Sequence, residues 1–242
     1  NMSQVAYHQT ADEFAMIPQT FDRILIYDAQ TRRQKFELAG HEANITTLQY
    51  SLDGQFLVTA AQDGTVIIWS TSTGTPLHQL NRHQDVVNAI AMHPDGQQMV
   101  TAGIRPMLVK WDIATGEELA SYMAPQGEEL LPETLLFSSD GSRLISWSNP
   151  RGESIMSQWT ADTLDLLTMD SGGRVYVGYD PSGQLAWTGG RALPAYANDP
   201  NVGELVLWNI ATGQQQIRLT EGFNWTVLSG TNIAASTDSL VF

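Results

Sequence analysis

The chain has 242 residues, 42% of them apolar, no cysteine, and a formal net charge of −14. That is enough apolar material for a sizeable core, yet no run approaches the roughly 20 apolar residues that span a bilayer. Disulfides and thiol chemistry are excluded. Lys and Arg together number 12, against 26 Asp and Glu, and they form no basic stripe, so nucleic acid is not an expected partner.

The chain opens NMSQVAYH, with neither a basic segment nor an apolar core. The absence of a visible leader favours a cytoplasmic location, although a processed precursor would look the same. The first unit, 1–38, runs through VAYHQTADEFAMI to RILIYD, which ends on Tyr27-Asp28. The second, 39–80, is the clearest. Gly40-His41 precedes ITTLQY, then come the turn Asp53-Gly54, FLVTA, Asp63-Gly64, TVIIW, Thr73-Gly74 and PLHQL. These are four short strands separated by turn residues that tolerate positive φ or cap the backbone. Pro76 falls in the fourth strand, the outer edge, where a missing N–H costs little.

The third unit, 81–123, has Asp95-Gly96, Trp111-Asp112 and Thr115-Gly116. The fourth, 124–169, has Asp140-Gly141 and Trp159; the fifth, 170–219, has Trp208 and Thr212-Gly213. A partial sixth, 220–242, holds NWTVLS, NIAAS and Asp238. The aromatics at 27, 69, 111, 159 and 208 each close an apolar run, in steps of 42, 42, 48 and 49 residues. A period of roughly 40–45 residues with an apolar-Trp-Asp signature predicts an all-β propeller of four-stranded antiparallel blades. Five units are recognisable and the sixth is truncated. Residues 1–8 are already used as the first unit's innermost strand, so on this count the 242 residues form no closed ring, and self-association or covalent continuation into further blades is expected.

These residues resemble the WD-repeat β-propeller family, as a bacterial-type WD-repeat domain from a longer protein would. The resemblance covers nearly the whole chain. It implies a structural tetrad of His41, Thr59, Asp63 and Trp69, linked by hydrogen bonds within the second blade. The third unit keeps His83, Thr101 and Trp111 but carries Arg105 where Asp is expected. Glu153 and Val202 occupy that place in the fourth and fifth units. The expectation for Arg105 is solvent or a nearby acid.

Catalytic motifs are absent. The five histidines, His8, His41, His78, His83 and His93, show no metal-ligand spacing, and there is no serine elbow and no phosphate-binding loop. Neither a cofactor nor a metal is expected. His41 with Asp63 and Thr59 imitates a triad, but the repeat explains each member. The Asp-Gly pairs recur at one place in each unit, which points to turns rather than calcium. Asn44-Ile45-Thr46 and Asn224-Trp225-Thr226 match glycosylation acceptors by chance. Trp147, Trp187 and Trp225 are expected to be buried between blades.

The longer units gain residues in loops 124–133, 149–154 and 190–203. The family resemblance puts these on the top face, where Glu128, Glu129, Arg151, Arg191, Pro194 and Tyr196 would form one raised patch for a protein or peptide partner. The functional expectation is therefore a non-catalytic interaction scaffold. Two alternatives stay open. One is a sensor or ligand-binding module of a larger protein. The other is an enzyme with a central-channel site, for which His8, His93 and Tyr179 would have to converge.

Overall fold

The computed structural model describes residues 2–8, 11–20, 22–105, 107–125, 132–148, 154–172, 174–179, 185–191, 203–209, 215–219, 234–235 and 240–241. All of its regular elements are strands. β1 (Met2–His8), β2 (Glu13–Pro18), β3 (Arg23–Asp28) and β4 (Gln34–Ala39) form the first sheet, in that order. β5 (Ile45–Tyr50), β6 (Phe56–Ala61), β7 (Val66–Ser70) and β8 (Pro76–Leu80) form the second. β9 (Val87–Met92), β10 (Gln98–Gly103), β11 (Leu108–Asp112) and β12 (Glu118–Tyr122) form the third. These three lie in the first of two compact units, residues 1–136.

The fourth sheet starts at the division between the units, with β13 (Pro132–Phe137), β14 (Arg143–Ser148), β15 (Ser154–Thr160) and β16 (Leu166–Gly172). The second unit, 137–242, contains the fifth sheet, with β17 (Arg174–Tyr179), β18 (Leu185–Arg191), β19 (Gly203–Asn209) and β20 (Gln215–Leu219). It also contains a two-stranded antiparallel pair, β21 (Ala234–Ala235) and β22 (Leu240–Val241). Five meanders of four strands are the blades of a β-propeller.

Burial explains the order. In the second sheet every residue of Val66–Trp69 on β7 is buried, whereas outer β8 is mostly exposed. A strand buried on both faces reads as continuous Val and Ile rather than as alternation. Pro76 opens the exposed outer strand, where its missing N–H costs no ladder bond. Within the first unit, Ala15, Ile17, Ile24 and Ile26 of the first sheet pack with Leu57, Ile67 and Trp69 of the second. Val58, Ile68 and Val66 pack with Met99, Val109 and Trp111 of the third. Trp69 and Trp111 therefore each face the preceding sheet. Each such side chain, fully buried, is worth about 1.5–3 kcal/mol.

One five-fold regularity escaped the motif reading. In each four-stranded sheet the pairing of third and fourth strands slips one residue immediately before the aromatic: Ile26/Tyr27, Ile68/Trp69, Lys110/Trp111, Gln158/Trp159 and Leu207/Trp208. The extra residue lies on the outer strand, for example Leu77 and Leu119, 46% and 47% exposed. A bulge there bends the outer strand and spoils its edge for pairing with other chains.

Some expected loop limits change. β13 already begins at Pro132, β15 begins at Ser154, and β18 runs to Arg191, so Arg191 is a strand end and not a loop residue. Trp147 is buried on β14; Trp187 lies on β18. Trp225 and the NWTVLS segment lie outside the described residues.

Candidate functional site

The Asp-Gly turns joining first and second strands are built alike. Ser51 Oγ donates to Asp53 Oδ1 at 2.7 Å, and Asp53 Oδ1 accepts the Gln55 N–H at 3.0 Å. Ser138, Asp140 and Ser142 repeat this at 2.6 and 3.0 Å. The Ser138 hydroxyl, with further bonds from Ser142, holds the Asp140 carboxyl below the usual range. Gly54, Gly96 and Gly141 supply φ of 70°, 73° and 72°. The carboxylates are spent on turn chemistry. Among the described residues no three His, Cys, Asp or Glu side chains are placed to hold a metal.

At the other end of the second blade, Trp69 and Thr59 sit two positions apart in the β6–β7 register, in which Trp69 faces Leu57 and Thr59 faces Ile67. The Trp69 indole N–H donates to Thr59 Oγ1 at 2.8 Å. Thr59 Oγ1 is 2.6 Å from His41 Nε2, and His41 Nδ1 is 2.9 Å from Thr65 Oγ1. Thr65 Oγ1 in turn donates to Asp63 Oδ1 at 2.7 Å.

The expected tetrad needs correcting at Asp63. That side chain is exposed, and both ring nitrogens of His41 are taken by Thr59 and Thr65, so the carboxylate reaches the imidazole only through Thr65. The cause is local. Asp63 Oδ1 also accepts the Thr65 N–H at 2.9 Å, an Asx turn that aims the carboxylate at its own loop. The signal lay in the sequence as a hydroxyl two residues beyond Asp63.

The chain of bonds has one direction. An indole only donates and a carboxylate only accepts, so protons run Trp69 to Thr59, Thr59 to His41 Nε2, His41 Nδ1–H to Thr65, and Thr65 to Asp63. This requires neutral His41. Burial pushes His41 down to about 4, against a smaller upward pull from the Asp63 charge, so the imidazole is neutral at pH 7.

The third blade keeps the inner half. Trp111 Nε1–H donates to Thr101 Oγ1 at 2.9 Å, and His83 Nε2 lies 2.7 Å from the same hydroxyl. Arg105 is exposed, and its carbonyl accepts the Gln84 N–H at 2.7 Å. Buried Met107 stands where Thr65 does, so carboxylate and relay hydroxyl are both replaced. In the fourth blade the Trp159 N–H donates to Ser146 at 2.9 Å. In the first blade Met16 takes the hydroxyl's register position, and Tyr27 stacks on Phe14 with centroids 5.4 Å apart. In the fifth, the register places Thr188 at this position relative to Trp208.

Two of the three channel candidates, His8 and His93, are bonded elsewhere. His8 Nε2 bonds the Gly54 carbonyl at 2.7 Å, and His93 Nδ1 lies 2.9 Å from Asp95 Oδ1 within its own turn. The side chain of Tyr179 lies outside the described residues, as do Glu128, Glu129, Arg151, Glu153, Pro194, Tyr196 and Val202 and the side chain of Arg191.

Meandering four-stranded blades carrying a Trp-hydroxyl-His network define a β-propeller of the repeat type. A family model described as "WD domain, G-beta repeat" matches residues 32–70 and 74–112. Those two stretches of the chain carry WD repeats. Each matched repeat begins at the outer strand of one sheet and ends on the third strand of the next, β4 to β7 and β8 to β11, so the sequence repeat straddles two blades. The chain is similar to U3 small nucleolar RNA-associated protein 21 of Saccharomyces cerevisiae, 32% identical over 68 residues. That match covers 28% of this chain and 7% of the yeast protein. It is also similar to the Schizosaccharomyces pombe homologue, 36% over 69 residues, covering 28% of this chain and 8% of that protein. Among solved structures, a chain of Kuenenia stuttgartiensis hydrazine synthase superposes with a TM-score of 0.71 at 15% identity. The superposition covers 91% of this chain and 67% of that one and speaks to the fold alone.

Proposed function

We propose that this chain is a non-catalytic protein-interaction scaffold, which presents loops of a rigid propeller face to a protein or peptide partner. The observation that carries the reading is the closure of the His41 network. The one constellation that imitates a triad has its hydroxyl, Thr59, fully buried and accepting the Trp69 N–H while bonded to His41, out of reach of any substrate. WD repeats generally serve as binding platforms, and the net charge of −14 favours a basic partner surface over a phosphate backbone. The proposed contact patch is Glu128, Glu129, Arg151, Arg191, Pro194 and Tyr196.

A second reading, a sensor module within a larger protein, is supported by the small share of its relatives that this chain matches, 7% and 8%. Crosslinking mass spectrometry with the full-length gene product tests both. The scaffold reading expects crosslinks from the 124–133, 149–154 and 190–203 loops to another protein, lost in an Arg191→Ala/Tyr196→Ala variant whose melting temperature is unchanged. Retention of every crosslink in that variant overturns the patch.

A further inference from the structure

The seam between the first two blades holds two buried polar atoms without a partner. Glu13 opens β2 and is only 2% exposed. Its Oε2 accepts from Lys35 Nζ at 2.7 Å, and its Oε1 has no hydrogen-bond partner. Tyr50 ends β5 in the neighbouring sheet, 7% exposed, with its ring 4.9 Å from that of His8. Its hydroxyl is likewise unpartnered. Glu13 is the cross-strand partner of His8, so its side chain leaves the same face of the first sheet as the imidazole that Tyr50 meets. Burial, and then the Glu13 charge, raise the Tyr50 pKa.

An unpaired buried carboxylate oxygen and an unpaired buried hydroxyl each carry a desolvation cost that a hydrogen bond would relieve. Two such costs on either side of the His8 ring call for a shared ligand. Charge decides its class. Lys35 already balances Glu13, so a cation would bring uncompensated charge into an apolar seam; the neighbouring His8 imidazole is bonded to the Gly54 carbonyl, and among the described residues no three acidic or imidazole side chains are placed to hold a metal. Anything larger than a few atoms is excluded because both polar atoms are closed to solvent. The ligand must be small and neutral, and must both donate and accept.

We propose that a single structural water binds between the first two blades, donating to Glu13 Oε1 and accepting from the Tyr50 hydroxyl. Water-bridged buried groups are ordinary parts of folded proteins when two or more polar partners converge. The first blade would then be fixed to the second by a polar bridge from Lys35 through Glu13 and water to Tyr50, as well as by Ala15, Ile17 and Ile24 against Leu57 and Ile67.

A crystal structure of the full chain at a resolution that shows ordered water tests this directly. The expected result is a density peak within about 3.2 Å of both Glu13 Oε1 and Tyr50 Oη. In a Tyr50→Phe crystal the peak is expected to vanish. A urea double-mutant cycle on Glu13→Gln and Tyr50→Phe is expected to show the two changes coupled by about tenfold in unfolding constant. A phenol bonded directly to Glu13 with no water, an empty seam, or a peak with metal-like distances near 2.4 Å would overturn the proposal, and so would coupling under about twofold. If Tyr50→Phe does not fold, the wild-type density alone decides.

Discussion

His8 and Gly54 lock the first two blades together: His8 Nε2 lies 2.7 Å from the Gly54 carbonyl oxygen, and Thr71 Oγ1 donates to the same oxygen at 2.7 Å. The imidazole reaches that carbonyl only because residue 54 has no side chain. A Cβ there would stand 1.9 Å from His8 Cε1, at a φ of +70°. The Asp53-Gly54 turn therefore serves its own hairpin and its neighbour at once.

Gly54→Ala should destabilise by about 2–4 kcal/mol in urea unfolding, from left-handed strain plus displacement of a buried ring. Gly96→Ala has the same φ class but nothing within 4 Å of the added carbon, so it should cost only about 1 kcal/mol. Equal losses at the two glycines would show that the His8 contact is immaterial.

Thr59 should matter more than Asp63. Thr59→Val strands both the Trp69 N–H and His41 Nε2 in the interior, a cost of about 2–4 kcal/mol. Thr65→Val cuts the relay at its outer end and should cost about 1–2 kcal/mol. Asp63→Ala removes an exposed turn acceptor, about 1 kcal/mol, well below what a direct imidazole-carboxylate bond would imply. An Asp63→Ala loss as large as that of Thr59→Val would mean that the carboxylate does meet His41.

The His41 network should weaken in acid. The folded imidazole is depressed to about 4, so on acidification the unfolded chain takes up its proton first. The contribution is intact above the ordinary histidine pKa of about 6.5 and is lost as pH falls from there toward 4. Its upper bound is about 3 kcal/mol. The measurement is unfolding free energy against pH for wild type and His41→Gln. The difference between the two should shrink between pH 6.5 and 4, and a difference that stays constant across that window would sink the claim.

Arg105→Ala should change stability by no more than about 0.5 kcal/mol, since the side chain is exposed and, among the described residues, the bond shown is to its carbonyl. A loss above about 2 kcal/mol would mean that the guanidinium takes part in the His83 network.

The blade frame was legible because it rests on local chemistry. A strand buried on both faces must be apolar along its length, as Val66–Trp69 is, and a tight hairpin must place Gly or Asp at its corner, as Asp53-Gly54 does. Such rules act over four to ten residues and leave periodic marks in the chain. The hydroxyl-indole half of each network was legible for the same reason. Thr59 and Trp69 lie on hydrogen-bonded neighbours whose register follows from the hairpin.

What the tertiary structure decided is the direction of single bonds across gaps in the sequence. Repeat position makes Asp63 the natural partner of His41, but the side chain could turn toward the imidazole or back toward its own loop. Thr65, supplying both an N–H and a hydroxyl, turned it back. Pairing of His8 with Gly54 depends on how one blade is rotated against the next, and the contact of the His8 ring with Tyr50 depends on the same rotation. That rotation is set by the volume of Ile17, Ile24, Leu57 and Trp69 packed between them. Periodicity carries the existence of each blade; only the packed seam carries the distances between polar atoms on its two sides.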